Sequence, residues 1–283
     1  MTIDWRHLTK AQLDFELSPS RSAKDFMSVL KRHEFQTAQV LADRRLNTKR
    51  NLQYGPAPAQ RLDLILPDTD SLRPCVLMIH GGFWQEGDKA VAGFASRALA
   101  DAGVGSALAG YTLAPHKGLS GIAEEIAACV DYLSNNAAAL GLDQNKLIIA
   151  GHSAGAYLAA NLLAKTTALA DKIAGAMLIS GVYDLAPIAA SYVNEVFGMT
   201  ATEAKTLSLH QRSPRTDAPV HILVGADEPA AFIVQSECLY SGWSKYLSNI
   251  RFEKCTGRDH FDILDELTDP KSPSHKRLLE MTL

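Results

Sequence analysis

The chain has 283 residues, 47% of them hydrophobic and 21% charged, with a formal net charge of −3 at pH 7. That length suits one large α/β domain with a substantial core and excludes two such domains plus a linker. The ordinary globular mix excludes a chain disordered or repetitive as a whole, and the near-neutral charge gives no footprint for nucleic acid or a membrane surface.

Residues 1–7 lack a basic segment followed by an apolar core, and no later window holds enough uninterrupted apolar sequence to span a bilayer, so a soluble, cytoplasmic protein is expected. Cys75, Cys129, Cys238 and Cys255 are scattered, without the spacing of a metal site or a disulfide framework, and are expected to be buried free thiols.

Residues 1–53 are rich in charge. Phe15, Leu17, Phe26, Val29, Leu30, Phe35 and Val40 recur at spacings that predict helices packed against another element, a helical extension rather than a separate core. The Tyr54-Gly55-Pro56-Ala57-Pro58 run is a break, and 61–67 reads as a strand. Apolar strand-like runs then alternate with helical patterns: 75–79, 90–101, 104–109, 121–138, 146–150, 154–165, 173–179, 220–224, 232–247 and 250–255. Nearly continuous apolar strands separated by helix-length segments predict a mostly parallel central sheet with helices on both faces. Residues 185–215 break the alternation with Pro187, Gly198 and Pro214, and an insertion there, beyond a strand's carboxyl end, is a candidate lid.

Gly151-His152-Ser153-Ala154-Gly155 follows the apolar run 146–150 and opens the helical pattern 154–165. A bare G-x-S-x-G is most often a glycine-rich turn that happens to contain serine. Strand, G-x-S-x-G, helix is the context of a nucleophile elbow, in which small residues let strand and helix approach while the hydroxyl projects outward to attack a carbonyl. Such a hydroxyl needs a base, and the base an acid to hold its tautomer, in the chain order serine, acid, histidine. Downstream, strand 220–224 runs into Gly225-Ala226-Asp227-Glu228-Pro229, and strand 250–255 into a loop carrying His260. Asp227 is the expected acid, with the adjacent Glu228 an alternative on sequence grounds, and His260 is the expected base. His7, His33, His210, His221 and His275 are expected to be structural or exposed, and His116 is given no catalytic role.

The oxyanion of a tetrahedral intermediate needs preorganised donors. The backbone N–H of Ala154 supplies one, and the turn His80-Gly81-Gly82-Phe83-Trp84 after strand 75–79 can supply those of Gly82 and Phe83, with His80 bracing the loop.

His80-Gly81-Gly82-Phe83-Trp84-Gln85, with Gly87 and Lys89, resembles the H-G-G-Y-W motif of the serine-dependent kynurenine formamidases (arylformamidases) of the α/β-hydrolase superfamily. The resemblance continues through Tyr111 with Ala114-Pro115, the Ser153 motif, Ser180-Gly181-Val182-Tyr183-Asp184-Leu185 and Asp259-His260-Phe261-Asp262-Ile263, over roughly residues 54–267. It implies an α/β-hydrolase fold, Ser153 as nucleophile, Asp227 as acid, His260 as base and Gly81, Gly82 and Phe83 at the oxyanion hole. Phe83 stands where the family usually has tyrosine, and neither the extension nor the 185–215 insertion carries a matching motif. Metal-dependent formamidases use histidine clusters unlike anything here, and no cofactor or metal is implied.

The expected activity is removal of a formyl or other small acyl group from an aromatic amine such as N-formylkynurenine, through an acyl-enzyme. A carboxylesterase for small esters is the alternative, and a binding protein on a retired hydrolase scaffold fits poorly with a complete serine, acid and histidine set. Gly81, Trp84, Tyr111 and Tyr183 are candidate substrate contacts, the aromatic ones with Phe83 as a wall for the ring, or else packing in the core or the lid. The partner is thus a small aromatic amide or ester, and the sequence leaves room for a homodimer.

Overall fold

The computed structural model describes residues 4–69 and 71–283. Among the described residues eight strands form one sheet: β1 (Leu46–Gln53), β2 (Arg61–Pro67), β3 (Arg73–Ile79), β4 (Gly105–Ala109), β5 (Leu142–His152), β6 (Gly175–Ile179), β7 (Val220–Gly225) and β8 (Ile250–Cys255), in the order β1-β2-β4-β3-β5-β6-β7-β8. From β4 to β8 all neighbours are parallel, while β2 runs antiparallel to both β1 and β4. This is the α/β-hydrolase arrangement. Among the described residues no helix is long and apolar enough to cross a membrane.

Side chains alternate across the pleat, so adjacent residues of one strand serve different cores. Leu77, Ile149, Leu178 and Ile222 join the core that includes Ile126, Leu162 and Leu239 of the helices Leu119–Asn135, Ala154–Lys165 and Ala230–Trp243. Val76, Ile148, Met177 and Leu223 face the other way, toward Phe94, Leu99, Leu264 and Leu278. Both faces being covered, β4, β6 and β7 are buried along their whole length.

The amino-terminal region departs from the expected all-helical extension. The helices Lys10–Glu16, Pro19–Ser22 and Phe26–Ala42 are followed by β1, an edge strand whose sequence Leu-Asn-Thr-Lys-Arg-Asn-Leu-Gln lacks a clear apolar alternation. An edge strand pairs on one side only, and here Arg50 is exposed and Lys49 half-buried, so neither an apolar run nor a strict period marks it. The expected helix at 90–101 is two 3₁₀ turns, Lys89–Val91 and Gly93–Ala95, leading into the helix Ser96–Asp101. The helix Phe26–Ala42 lies so close to these turns that a Cβ on Gly93 would sit 2.7 Å from Thr37 Cγ2. Cys75, Cys129 and Cys255 are buried, but Cys238 is exposed, contrary to the expectation for all four.

Candidate active site

Gly151 and His152 end β5, and Ser153 turns the chain into the helix Ala154–Lys165 with φ 54° and ψ −120°. A non-glycine residue held there stores roughly 1–3 kcal/mol of strain and persists only when its surroundings fix it. Ser153 N–H donates to Ile179 O at 2.8 Å, and Ser153 O accepts from Ala156 N–H at 3.0 Å. The flanking glycines are required by contact: a Cβ on Gly151 would lie 2.3 Å from Gly155 O, and one on Gly155 only 2.1 Å from Ile79 O. Neither position has room for a side chain, which is why strand and helix can cross beneath the serine.

His260 lies on the loop after β8, buried against Phe232, with ring centroids 4.4 Å apart. Its Nδ1 is 2.7 Å from Glu228 Oε2. The other carboxylate oxygen, Oε1, accepts from Ser180 Oγ at 2.5 Å and from Gly225 N–H at 2.6 Å, so Glu228 is fully engaged and its side chain has no exposure. Asp227, the acid expected from sequence and from the resemblance, does not reach the ring. Its side chain is 43% exposed and pairs with Lys24 Nζ at 3.2 Å. The turn decides between the neighbours: Asp227 N–H donates to Arg258 O at 3.0 Å and Glu228 N–H to Gly225 O at 3.4 Å, which sends the two side chains to different sides.

Register brings the third component alongside. Ile79 of β3 pairs with Gly151 of β5, so the turn after β3 runs beside Ser153, and a Cβ on Gly81 would come within 2.9 Å of Ser153 Cβ. Gly82, Phe83 and Trp84 all have positive φ, 105°, 46° and 59°, and Gly82 O accepts from the N–H groups of Gln85 and Glu86 at 2.9 and 3.0 Å. Among the described residues no acceptor takes the N–H groups of Gly82, Phe83 or Ala154, leaving three donors beside the serine.

The aromatic wall expected from sequence is mostly turned inward. Trp84 is fully buried, donates from Nε1 to Ala154 O at 2.9 Å and packs edge-on to Tyr157. Tyr111 is buried against His80 with centroids 4.3 Å apart and donates from its hydroxyl to His80 O at 2.9 Å. Tyr183 is fully buried, its N–H donating to Gln235 Oε1 at 2.8 Å. These three brace the loops that carry the site, and only Phe83 and Gly81 of the candidate contacts line the cavity. His80 Nδ1 lies 2.8 Å from Gly81 O, within the turn after β3.

A cavity of about 500 Å³ opens onto Ser153 and His260. Its outer wall comes from the amino-terminal arm through Pro19, Ser20, Phe26, Met27 and Leu30, and the 185–215 segment contributes Tyr192. The arm is therefore the principal cover, and the segment expected as a lid backs it: Tyr192 N–H donates to Asp14 Oδ1 at 2.8 Å and its hydroxyl to Leu17 O at 3.2 Å. Inner walls come from Phe94, Phe261 and Leu264. Sequence gave the arm apolar spacing but no indication of which apolar residues face a cavity. His152 also lines it; its Nε2 donates to His260 O at 2.7 Å, and burial, with His260 alongside, holds its imidazole well below the usual value.

The family model that matches, BD-FAE, covers residues 62–240, more than half the chain. Over 98% of both chains the sequence is 31% identical to a kynurenine formamidase of Danio rerio and 30% identical to one of Salmo salar. The chain belongs to the BD-FAE family and to the kynurenine formamidases. A solved structure of a candidate thioesterase from Silicibacter sp. TM1040 superposes with a TM-score of 0.83 at 27% identity, covering 95% of this chain and 99% of that one. As a kynurenine formamidase relative the chain is a hydrolase of the α/β type, and it departs from the resemblance on which Asp227 was expected by setting Glu228 against the histidine ring. Ser180, with φ 52° and its hydroxyl on Glu228, is a residue sequence reasoning missed. Its position in the Ser180-Gly181-Val182-Tyr183-Asp184-Leu185 motif was the available signal.

Proposed function

We propose that this kynurenine formamidase relative is an arylformamidase working through Ser153, His260 and Glu228. His260 Nε2 takes the Ser153 Oγ proton as Oγ bonds to the formyl carbon, and the carbonyl oxygen becomes an anion facing the N–H groups of Gly82, Phe83 and Ala154. On collapse the C–N bond breaks, His260 returns the proton to the departing arylamine nitrogen, and a formyl ester remains on Ser153. Water then adds to that ester, His260 taking its proton; the ester C–O bond breaks, the proton returns to Oγ, and formate leaves. Glu228 holds the Nδ1–H tautomer and stabilises the imidazolium.

The observation that carries this proposal is the buried His260–Glu228 pair at 2.7 Å, in a cavity shared with the strained Ser153, in a chain similar along its whole length to kynurenine formamidases. The same groups could open an ester or thioester, a second activity favoured by the structural likeness to the candidate thioesterase. Hydrolysis of an N-formyl arylamine should release formate and amine one to one, and an aryl phosphonate should block it by adding once, at Ser153. Turnover that survives full phosphonylation of Ser153 would remove this mechanism.

A further inference from the structure

His152 is an imidazole next to the nucleophile that no step of the proposed reaction uses. Its Nε2 lies 2.7 Å from His260 O, a carbonyl that can only accept, so Nε2 carries the ring proton. Burial first, and then the His260 ring with its centroid 4.7 Å away, hold the imidazole well below its usual pKa. The ring therefore keeps that one proton, and Nδ1 has a bare lone pair. Nδ1 has no hydrogen-bond partner among the described residues and is not one of their sealed, unpartnered polar atoms, so it is open to the cavity that His152 lines. Gly81 keeps that opening clear: a Cβ there would fall 2.9 Å from Ser153 Cβ and 3.3 Å from His152 Nδ1. Acceptor and nucleophile thus border the same small space, beside the turn that carries Gly82 and Phe83.

Resting on the arylformamidase assignment, we infer that His152 Nδ1 accepts a hydrogen bond from the anilide N–H of the substrate as the C–N bond breaks. For His260 to protonate the leaving nitrogen, that nitrogen must become pyramidal and turn its new lone pair toward the His260 ring, which swings its own N–H away. Without an acceptor this N–H would lose its water against a mostly apolar wall, at a cost felt in the transition state. The hydrogen stays on nitrogen throughout, and His152 makes and breaks no covalent bond. An ester oxygen has no hydrogen to offer. His152 is then the residue that sets amide against ester cleavage on one and the same triad.

The test is the ratio of kcat/KM for an N-formyl arylamine to kcat/KM for the formate ester of the matching phenol, corrected for spontaneous hydrolysis. His152→Gln can still donate to His260 O from its amide but places no acceptor where Nδ1 was. His152→Asn carries an oxygen at the reach of Nδ1 but is too short to meet His260 O. The ratio is expected to fall by about tenfold or more in His152→Gln and to stay within about threefold of the unaltered enzyme in His152→Asn, whatever happens to the ester rate itself. A second arm needs no variant to fold: the N-methyl derivative of the same formanilide, which has no N–H, should be cleaved about tenfold or more less efficiently by the unaltered enzyme. A ratio unchanged in His152→Gln, or lost equally in both variants, would overturn the inference and leave the arylformamidase assignment standing, with His152 serving only to hold the loop of His260. An N-methyl compound cleaved as well as its parent would do the same. If the unaltered enzyme cleaves the formate ester but neither formanilide, the assignment itself fails and takes the inference with it.

Discussion

At the scale of single residues, the Ser153–His260–Glu228 set makes unequal demands on two adjacent carboxylates. Glu228→Gln should lower kcat by about ten-thousand-fold, as when a triad base loses control of its tautomer. Asp227→Asn, which touches only an exposed pair with Lys24, should change kcat by no more than about twofold, since such pairs contribute little. Steady-state kinetics on one N-formyl arylamine checks both, and the reverse ranking would return the acid role to Asp227. Ser153→Ala should cost on the order of a million-fold while thermal unfolding is unimpaired, because the alanine removes a hydroxyl that lines the cavity and no core contact. Ser153 and His260 could be singled out from sequence as the nucleophile and base of the proposed mechanism because each sits in a distinctive local frame, an elbow and a loop after a strand. Which carboxylate lies against His260 could not, since Asp227 and Glu228 share one turn and only the pairing of that turn with Arg258 and Gly225 decides which side chain points inward.

At the scale of elements, the arm owes its place over the cavity to a close approach that admits no added atom. An alanine Cβ at Gly93 would meet Thr37 Cγ2 at 2.7 Å and Leu108 Cδ1 at 2.8 Å, a β-branched side chain on one side and the sheet on the other. Gly93→Ala should therefore cost roughly 1–3 kcal/mol of stability through overpacking. It should also raise KM, because the displaced helix Phe26–Ala42 carries Phe26, Met27 and Leu30 of the cavity wall. Urea unfolding and substrate saturation read the two effects, and a variant unchanged in both would show that the helix does not bear on the site. The parallel strands were legible in the sequence as continuous apolar runs because both their faces are covered. The edge strand β1 was not, its apolar side chains being only Leu46 and Leu52 among charged and polar neighbours. Trp84, Tyr111 and Tyr183 were misplaced for the opposite reason: an aromatic residue in a motif near a site serves equally to brace a loop or to line a wall, and here each finds a backbone partner or core packing.

For the whole molecule, burial of neutral imidazoles ties stability to pH. His80 and His152 both have pKa values lowered by burial, so the unfolded chain binds protons that the folded chain refuses once pH falls below the ordinary histidine value of about 6.5. Stability is thus fully present above that value and is lost as pH drops toward their folded pKa values, by up to about 1.4 kcal/mol per pH unit for each histidine. Urea midpoints should accordingly fall between pH 7 and pH 5, and a flat profile would mean that these rings are not held neutral. The proposed site lies at the carboxyl ends of β3 and β5, where Phe83, on the turn after β3, is tilted against Phe232, which itself packs on His260. A formyl carbon carries only hydrogen, and on the proposed mechanism these rings are expected to close the acyl side to a longer chain. The direct test is kcat/KM for the N-formyl and N-butyryl derivatives of one arylamine. At roughly 1–3 kcal/mol for each methylene that cannot be accommodated, the formyl compound should be favoured by well over a hundred-fold. Equal efficiency, or a preference for the butyryl compound, would contradict the account and leave a general acyl hydrolase.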